Sequence, residues 1–351
     1  MNENDAHVKS LTRAIRHSRS LTVMSSLLLA GDVGGTKTWL GLFSDAFPRP
    51  ELVNERQYPT LEWDGLTDLV DRFLEESGAE PSRIRGTAIG VAGPVEGNAS
   101  NLTNVRWRVD GDHLGRTLGR SPVLVMNDLV AMAYAVPYLH NSEVTILQPG
   151  EPTREGAIAV IAPGTHLGEA SLHRVRDSWV PLPSEGGHAD FAARTAEEHE
   201  LVAELRSSLG HVGRGELLSG PGLVRFHRHA HREAACRSSD EEEPPDAVAV
   251  STAALDGRCA GCERTLERFV SALGAAAGDL GLRTLARGGV FLGGGIPTKI
   301  LPALRNGTFL DAFRNKGALR SLTERFPVAV ILEPRVGLIG AAVAAAARRH
   351  S

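Results

Sequence analysis

Gly31-Asp32-Val33-Gly34-Gly35-Thr36-Lys37-Thr38 is the stretch that decides how this chain is read. Leu27–Gly31 before it is an apolar run of strand length, and Thr38–Phe43 after it reads as a second strand. The glycines therefore mark a hairpin turn. A Walker A loop would need a second glycine directly before the lysine and a helix next. Here Thr36 precedes Lys37 and a strand follows, so that reading is rejected. What remains is a strand-turn-strand loop whose glycines let backbone N–H groups approach phosphate oxygens, with the Thr36 hydroxyl beside them. Asp32 would face the metal that accompanies such phosphates.

Outward from the hairpin, Glu51–Tyr58 reads as a third strand. Leu66, Leu69, Val70, Phe73 and Leu74 recur at helical spacing in a segment ending near Gly78. Ile84–Ala92 is a further strand, followed by a polar loop at Gly97–Asn104 and a short helix around Leu114–Leu118. The strand Val123–Met126 ends at Asn127-Asp128, where the helix Leu129–Val136 begins. A second set opens with the strand Ala157–Ala162, the turn Gly164-Thr165 and the strand Leu167–Arg174. Helices at about 196–209, 216–231 and 263–285 follow, with Asp240–Pro245 as a solvated loop. Gly288–Phe291 runs into Gly293-Gly294-Gly295, Val328–Leu332 is the last strand, and the Ala-rich Gly337–Arg348 is a terminal helix. Strands alternating with helices mean α/β layers. Two sets, each opened by a Gly-Thr turn after a strand, point to a duplicated nucleotide-clasping unit.

The chain has 351 residues, enough for two domains enclosing a cleft. Its 38 Lys+Arg against 42 Asp+Glu give a formal charge of −4, which argues against a nucleic-acid partner. Lys9, Lys37, Lys299 and Lys316 are its lysines, so no basic face can be assembled from them. Aromatic residues are only 5%, too few for a base-stacking platform. No run of 18 apolar residues suggests a membrane span. Cys236, Cys259 and Cys262 make no disulfide framework and suit a cytoplasmic protein. Arg13, Arg16 and Arg19 before Leu21–Ala30 imitate a secretory signal, but cleavage near Ala30 would remove the first strand. Met24 is read as the start, with 1–26 a disordered or mis-started extension.

At Asp128 a carboxylate stands at the C-terminal end of a strand, where open α/β sheets present groups to ligands. The competing role is N-capping of the helix that follows. Taken together, the motifs resemble a known family. Gly31–Thr36 is similar to the first phosphate hairpin of the superfamily of actin, hexokinase and heat-shock chaperone ATPases. The rest of the chain resembles the bacterial glucokinase family, from about Leu27 to Ala347. Gly90-Val91-Ala92-Gly93-Pro94-Val95 with Thr103-Asn104-Val105-Arg106-Trp107 is similar to its first sugar-side loop. Met126-Asn127-Asp128 resembles its catalytic strand end. Its sugar clamp is matched by Pro183-Ser184-Glu185-Gly186-Gly187-His188-Ala189-Asp190-Phe191, and its next helix by Leu218-Ser219-Gly220-Pro221-Gly222. Leu292-Gly293-Gly294-Gly295-Ile296 resembles its adenosine segment, and Gly337-Leu338-Ile339-Gly340 its terminal helix.

The resemblance implies a two-domain actin-like (ribonuclease H-like) α/β fold with a hinged cleft. Residues 27–136 plus 334–351 would form the small domain and 137–333 the large one. It implies ATP-dependent phosphorylation of glucose at the 6-hydroxyl, with Asp128 as general base and Mg2+ alongside ATP. Asn104, Asn127, Glu185 and His188 would read sugar hydroxyls, since a wrong epimer leaves such groups buried and unpaired. Gly34, Gly35, Thr36, Gly164 and Thr165 would hold phosphates, Gly293, Gly294 and Gly295 the adenosine, and Asp32 the metal. A homodimer is what the resemblance suggests.

Three positions depart from the family pattern. The second phosphate loop, Gly-Thr-Gly-Leu-Gly in the family, is Gly164-Thr165-His166-Leu167-Gly168 here, and His takes a positive φ less easily than Gly. A sugar-binding Glu is replaced by Gly215, with Glu216 one residue on and able to restore the contact by a shift. Pro163 replaces a small residue at the loop entry. These departures leave open a catalytically weak sugar-binding or regulatory protein, and a hexose kinase preferring another sugar. A DNA-binding sensor is disfavoured, because no segment has room for a helix-turn-helix. Cys259-x-x-Cys262 with His227, His229 and His231 invites a zinc reading, but alternate positions on a helix point in different directions. A metal is not expected there.

Overall fold

The computed structural model describes residues 26–46, 48–102, 105–119, 123–232 and 245–348. The expected N-terminal extension apart from Ser26, Asn104, Cys236 and, apart from Pro245, the expected loop Asp240–Pro245 lie outside the described residues. Among the described residues the strands are β1 (Leu27–Val33), β2 (Lys37–Ser44), β3 (Glu51–Pro59), β4 (Ile84–Val91), β5 (Ala99–Asn101), β6 (Arg108–Asp110) and β7 (Val123–Asn127). They continue with β8 (Val144–Gln148), β9 (Ile158–Pro163), β10 (Leu167–Val175), β11 (Ser178–Ser184), β12 (Gly289–Leu292) and β13 (Val328–Ile331).

Two large sheets repeat one plan. The first runs β3-β2-β1-β4-β7, antiparallel across the β1–β2–β3 meander and parallel from β1 through β4 to β7. The second runs β11-β10-β9-β12-β13, with the same senses, and adds β8 antiparallel on its edge. Central strands are apolar on both faces because both faces are covered. Accordingly every residue of β9 is buried.

Helices cover those faces. Leu66–Ser77 places Leu66, Leu69, Val70, Phe73 and Leu74 inward, and Gly78 closes it in the left-handed region at φ 65°. The expected 216–231 helix is two pieces, Arg214–Leu217 and Gly220–Ala230, because Ser219 takes an extended backbone and caps the second through Gly222 N–H at 3.1 Å. Between the sheets lie Asp128–Ala135 and the C-terminal helix Val336–Ala347. Their small side chains share one buried cluster with Leu28 and Ala88 of the first sheet and Val160 and Leu172 of the second. Gly340 packs on Ala131 so closely that a Cβ there would overlap its carbonyl. Across the chain, Arg49 binds Glu143 through both guanidinium nitrogens, at 2.6 and 2.8 Å. No helix among the described residues is long and apolar enough to cross a membrane.

Candidate active site

At the turn after β7 the helix-capping position falls to Asn127. Asn127, not Asp128, is the N-cap: its Oδ1 accepts Leu129 N–H at 2.9 Å, and its Nδ2 donates to the Gly93 carbonyl at 3.2 Å. Asp128 is the first helical residue, and its Oδ1 accepts the same Leu129 N–H at 2.9 Å. Burial pushes its carboxyl up to about 7, the negative charge of Asp32 adds to this, and the Leu129 N–H opposes it. Glu185 contributes a smaller push in the same direction. A base poised near neutrality suits proton abstraction from a hydroxyl.

Asp32 sits one residue before the end of β1, and burial pushes its carboxyl up to about 6. Gly337, second in the C-terminal helix, leaves it room: a Cβ there would lie 2.6 Å from Oδ2. The hairpin beyond is braced by buried Thr60, which the sequence reading missed. Its hydroxyl donates to the Gly34 carbonyl at 2.9 Å, its own N–H donates to the Thr36 carbonyl at 3.0 Å, and the Thr38 hydroxyl lies 2.9 Å away. With those carbonyls turned inward, Gly35 is half-buried and Thr36 and Lys37 are exposed at the tip.

The second glycine-threonine turn is built alongside. Gly164 N–H donates to the His166 carbonyl at 2.8 Å, and the Gly220 N–H donates to the Gly164 carbonyl at 2.9 Å. Together they tie the loop to the start of the Gly220–Ala230 helix. A cavity of about 280 Å³ opens here, lined by Gly164, Thr165, Gly220, Ala247, Ile296 and Lys299. Gly294 has φ 83°, and a Cβ on it would stand 3.0 Å from the Pro163 carbonyl, so both backbone and space require glycine. Gly293 lies against Met132, and Gly295 opens the short helix Gly295–Lys299 beside the cavity. A larger cavity of about 570 Å³, lined by Phe43, Pro48, Arg49, Tyr138 and Leu338, contains none of the expected site residues.

On the sugar-clamp side, β11 is an edge strand, which is where Pro181 and Pro183 can be tolerated. Gly186 and Gly187 press against β10, where a Cβ would run into the Glu169 carboxylate and the Leu167 carbonyl respectively. Glu169 is 1% exposed and pairs with Arg214 at 3.1 Å and Arg283 at 2.9 Å. A carboxylate between Gly168 and Ala170 in the buried first half of β10 was the available signal for this anchor. Glu185 and His188 project from the loop and are exposed.

Two of the departures from the family pattern meet in space. The His166 ring occupies the volume that a Gly215 side chain would need. It stacks on His188 with centroids 4.3 Å apart and planes at 23°. His166 is not among the residues with positive φ, so the expected backbone penalty does not arise. Burial, then the neighbouring His188, hold its pKa below the usual histidine value, which keeps it neutral near pH 7. The Glu216 carboxylate is held by Arg225 at 2.5 Å, so it is the imidazole that stands in front of Gly215.

A family model described as Glucokinase matches residues 29–348. The chain is 36% identical over 341 residues to a glucokinase of Nostoc punctiforme, spanning 92% of this chain and 99% of that relative. It is similar to a crystal structure of a glucokinase from an Antarctic psychrotroph, with 30% identity, TM-score 0.81, and 93% and 99% of the two chains covered. A ROK family glucokinase from Streptomyces griseus, solved in complex with glucose and AMPPNP, is 21% identical and covers 93% of this chain and 100% of its own. Its TM-score of 0.60 speaks to a common fold.

Proposed function

We infer how the site works from one premise: this chain belongs to the glucokinase family, whose reaction, the ATP-dependent phosphorylation of glucose, is its own. The fold is the two-domain α/β fold of that family. Residues 27–136 with 334–351 form one domain of this reading and 137–333 the other, and each sheet contributes one phosphate turn.

Asp128 accepts the proton of the glucose 6-hydroxyl as that oxygen bonds to the γ-phosphorus of ATP. The bond from the γ-phosphorus to the β,γ-bridging oxygen breaks, and ADP leaves with the electron pair. The observation that carries this role is that Asn127 caps the helix, which leaves Asp128 for chemistry, with its pKa near 7. Glu185, His188, Asn127 and Asn104 orient the sugar, with Glu216 held at the margin by Arg225. Gly34, Gly35, Thr36, Gly164 and Thr165 offer backbone and hydroxyl donors to phosphate oxygens, and Gly293, Gly294 and Gly295, which lead into Ile296 on the cavity wall, serve the adenosine. Asp32 suits Mg2+, because it is a half-buried hard-oxygen donor whose pKa is raised by desolvation with no cation to offset it. Bound there with ATP, Mg2+ would neutralise charge on the phosphate oxygens. Cytoplasmic residence and a homodimer belong to the same reading and rest on the family.

A coupled assay for ADP across hexoses and donors tests this reading, with glucose and ATP expected to be the fastest pair. No glucose-dependent ADP at any enzyme concentration would leave the weak sugar-binding reading in its place. The acid limb of the rate is a second test. Asp128 must be ionised to act, so kcat/KM for glucose should fall with unit slope as pH drops through about 7. Asp32→Asn removes the neighbouring charge that raises Asp128, so its residual activity should show the limb displaced to lower pH. An unmoved limb would detach the profile from this pair.

The His166–Gly215 contact makes a third prediction, on selectivity. Gly215→Glu alone collides with the imidazole and should raise KM for glucose at least about tenfold, the scale of one mispacked polar contact. His166→Gly with Gly215→Glu should recover most of that loss. Measuring all four corners of the cycle gives the coupling directly, and additive effects would mean that the two positions do not share one role.

A further inference from the structure

The helix Gly220–Ala230 begins at the phosphate turn and ends in a cluster that phosphoryl transfer does not use. His227 and His231 are one turn apart and share a face, contrary to the expectation that these histidines diverge; only His229 turns away, toward Glu204 at 3.6 Å. Their rings stack at 4.0 Å against the first turn of the long helix Ala260–Thr284, where Cys259 is the N-cap and Cys262 lies inside. We propose that His227, His231, Cys259 and Cys262 bind one zinc ion, a structural site separate from the Mg2+ site at Asp32.

Four observations carry it. The potential ligand atoms of His227, His231 and Cys262 all lie within 4.8 Å of one another. The Nε2 of His231 is 3.4 Å from the Cys259 sulfur; tetrahedral zinc with ordinary Zn–S and Zn–N bonds sets neighbouring S and N ligands about 3.6 Å apart. His231 Nδ1 is 2.9 Å from the His227 carbonyl. A carbonyl only accepts, so Nδ1 carries the proton and the Nε2 lone pair of the neutral ring faces the sulfur, the orientation that a metal-bound imidazole takes. Finally, Gly261, between the two cysteines, makes room for the ring: a Cβ there would overlap His231.

The charge balance is favourable too. His227 is 3% exposed and Cys262 fully buried, a place where unbalanced charge is costly. Two thiols releasing two protons to one Zn2+ give a neutral centre with two imidazoles. Thiolate and imidazole select zinc over the hard Mg2+ of the cleft. An eleven-residue helix is about 16 Å long, so the ion acts at a distance from Gly220, by clamping two helices rather than by touching substrate.

Elemental analysis of the protein purified under reducing conditions should return one zinc per chain. Replacing it with Co2+ should produce a thiolate-to-cobalt charge-transfer band and the strong visible bands of a tetrahedral site. The Cys259→Ser, Cys262→Ser double variant should lose the metal and the charge-transfer band, while His229→Ala should keep both. Should the double variant fail to fold, the unaltered protein still decides. Reconstitution that leaves it well below one zinc per chain, no charge-transfer band with cobalt, or a Cys259–Cys262 disulfide in place of metal would each overturn the site. None of these readouts depends on glucose phosphorylation, so the proposal and the kinase reading fail separately.

Discussion

Asp128→Asn is expected to lower kcat by about 10²–10⁴-fold, the usual contribution of a positioned general base, while calorimetric glucose affinity changes only a few-fold. That rate loss corresponds to about 3–5 kcal/mol of barrier. The same substitution should stabilise the fold at alkaline pH. The folded carboxyl titrates near 7 against an ordinary value of 3.8, so its contribution to stability is full below 3.8 and is lost as pH rises through about 7. The neutral amide that replaces it carries no such charge. The variant should therefore melt above the parent at pH 8, with the difference shrinking toward pH 4. A variant that turns over at the parent's rate would remove Asp128 from the base role. A variant that melts below the parent at pH 8 would contradict the net desolvation of this half-buried carboxylate.

The second large effect concerns stability more than rate. Glu169→Ala leaves Arg214, which is 13% exposed, facing an empty pocket, whereas Arg283 is 45% exposed and can turn to water. Breaking a buried pair by removing one partner costs about 3–5 kcal/mol. With one arginine able to escape, the lower end of that range is expected, seen as a fall in the urea midpoint. Gly186 leans on the same carboxylate, so KM for glucose should rise as the sugar-clamp loop loosens. Glu169→Gln, which keeps the shape, should lose less on both measures. An unchanged midpoint in the alanine variant would show that the two arginines do not depend on this anchor.

Local chemistry made much of this architecture legible. Two strand-turn-strand openings, each followed by parallel strands, were readable as a duplication, and the two sheets repeat one order. Leu66–Ser77 was readable because its apolar face has helical period and Gly78 ends it. Ser178–Ser184 was not, since two prolines argue against a strand unless it lies at an edge, and edge position is a tertiary fact. The helix Ala247–Leu255 was missed because its Ala/Val run has no polar face to give it a period. At the turn after β7, the strand end and the helix start at Asn127-Asp128 were legible, but which of the two caps the helix needed the backbone angles of the turn. His166 and Gly215 were each visible as departures, and Thr60 gave no sign at all. That one departure fills the space of the other depends on two loops distant in sequence. His227 and His231 could have been paired from their spacing; what hid them was His229 between.

The packing of the C-terminal helix on β1 also sets an order of assembly. Asp32 is made long before its neighbour Gly337. At about 5–20 residues per second the interval is on the order of 15–60 s. Throughout it, Leu28 and Ala30 lack Leu338, Ala341 and Ala342, the partners that cover that face of the first sheet. Until that helix docks, Asp32 lacks the Gly337 backbone that packs against its carboxylate. A chain cut short before Gly337 thus leaves that apolar face of the first sheet without its cover.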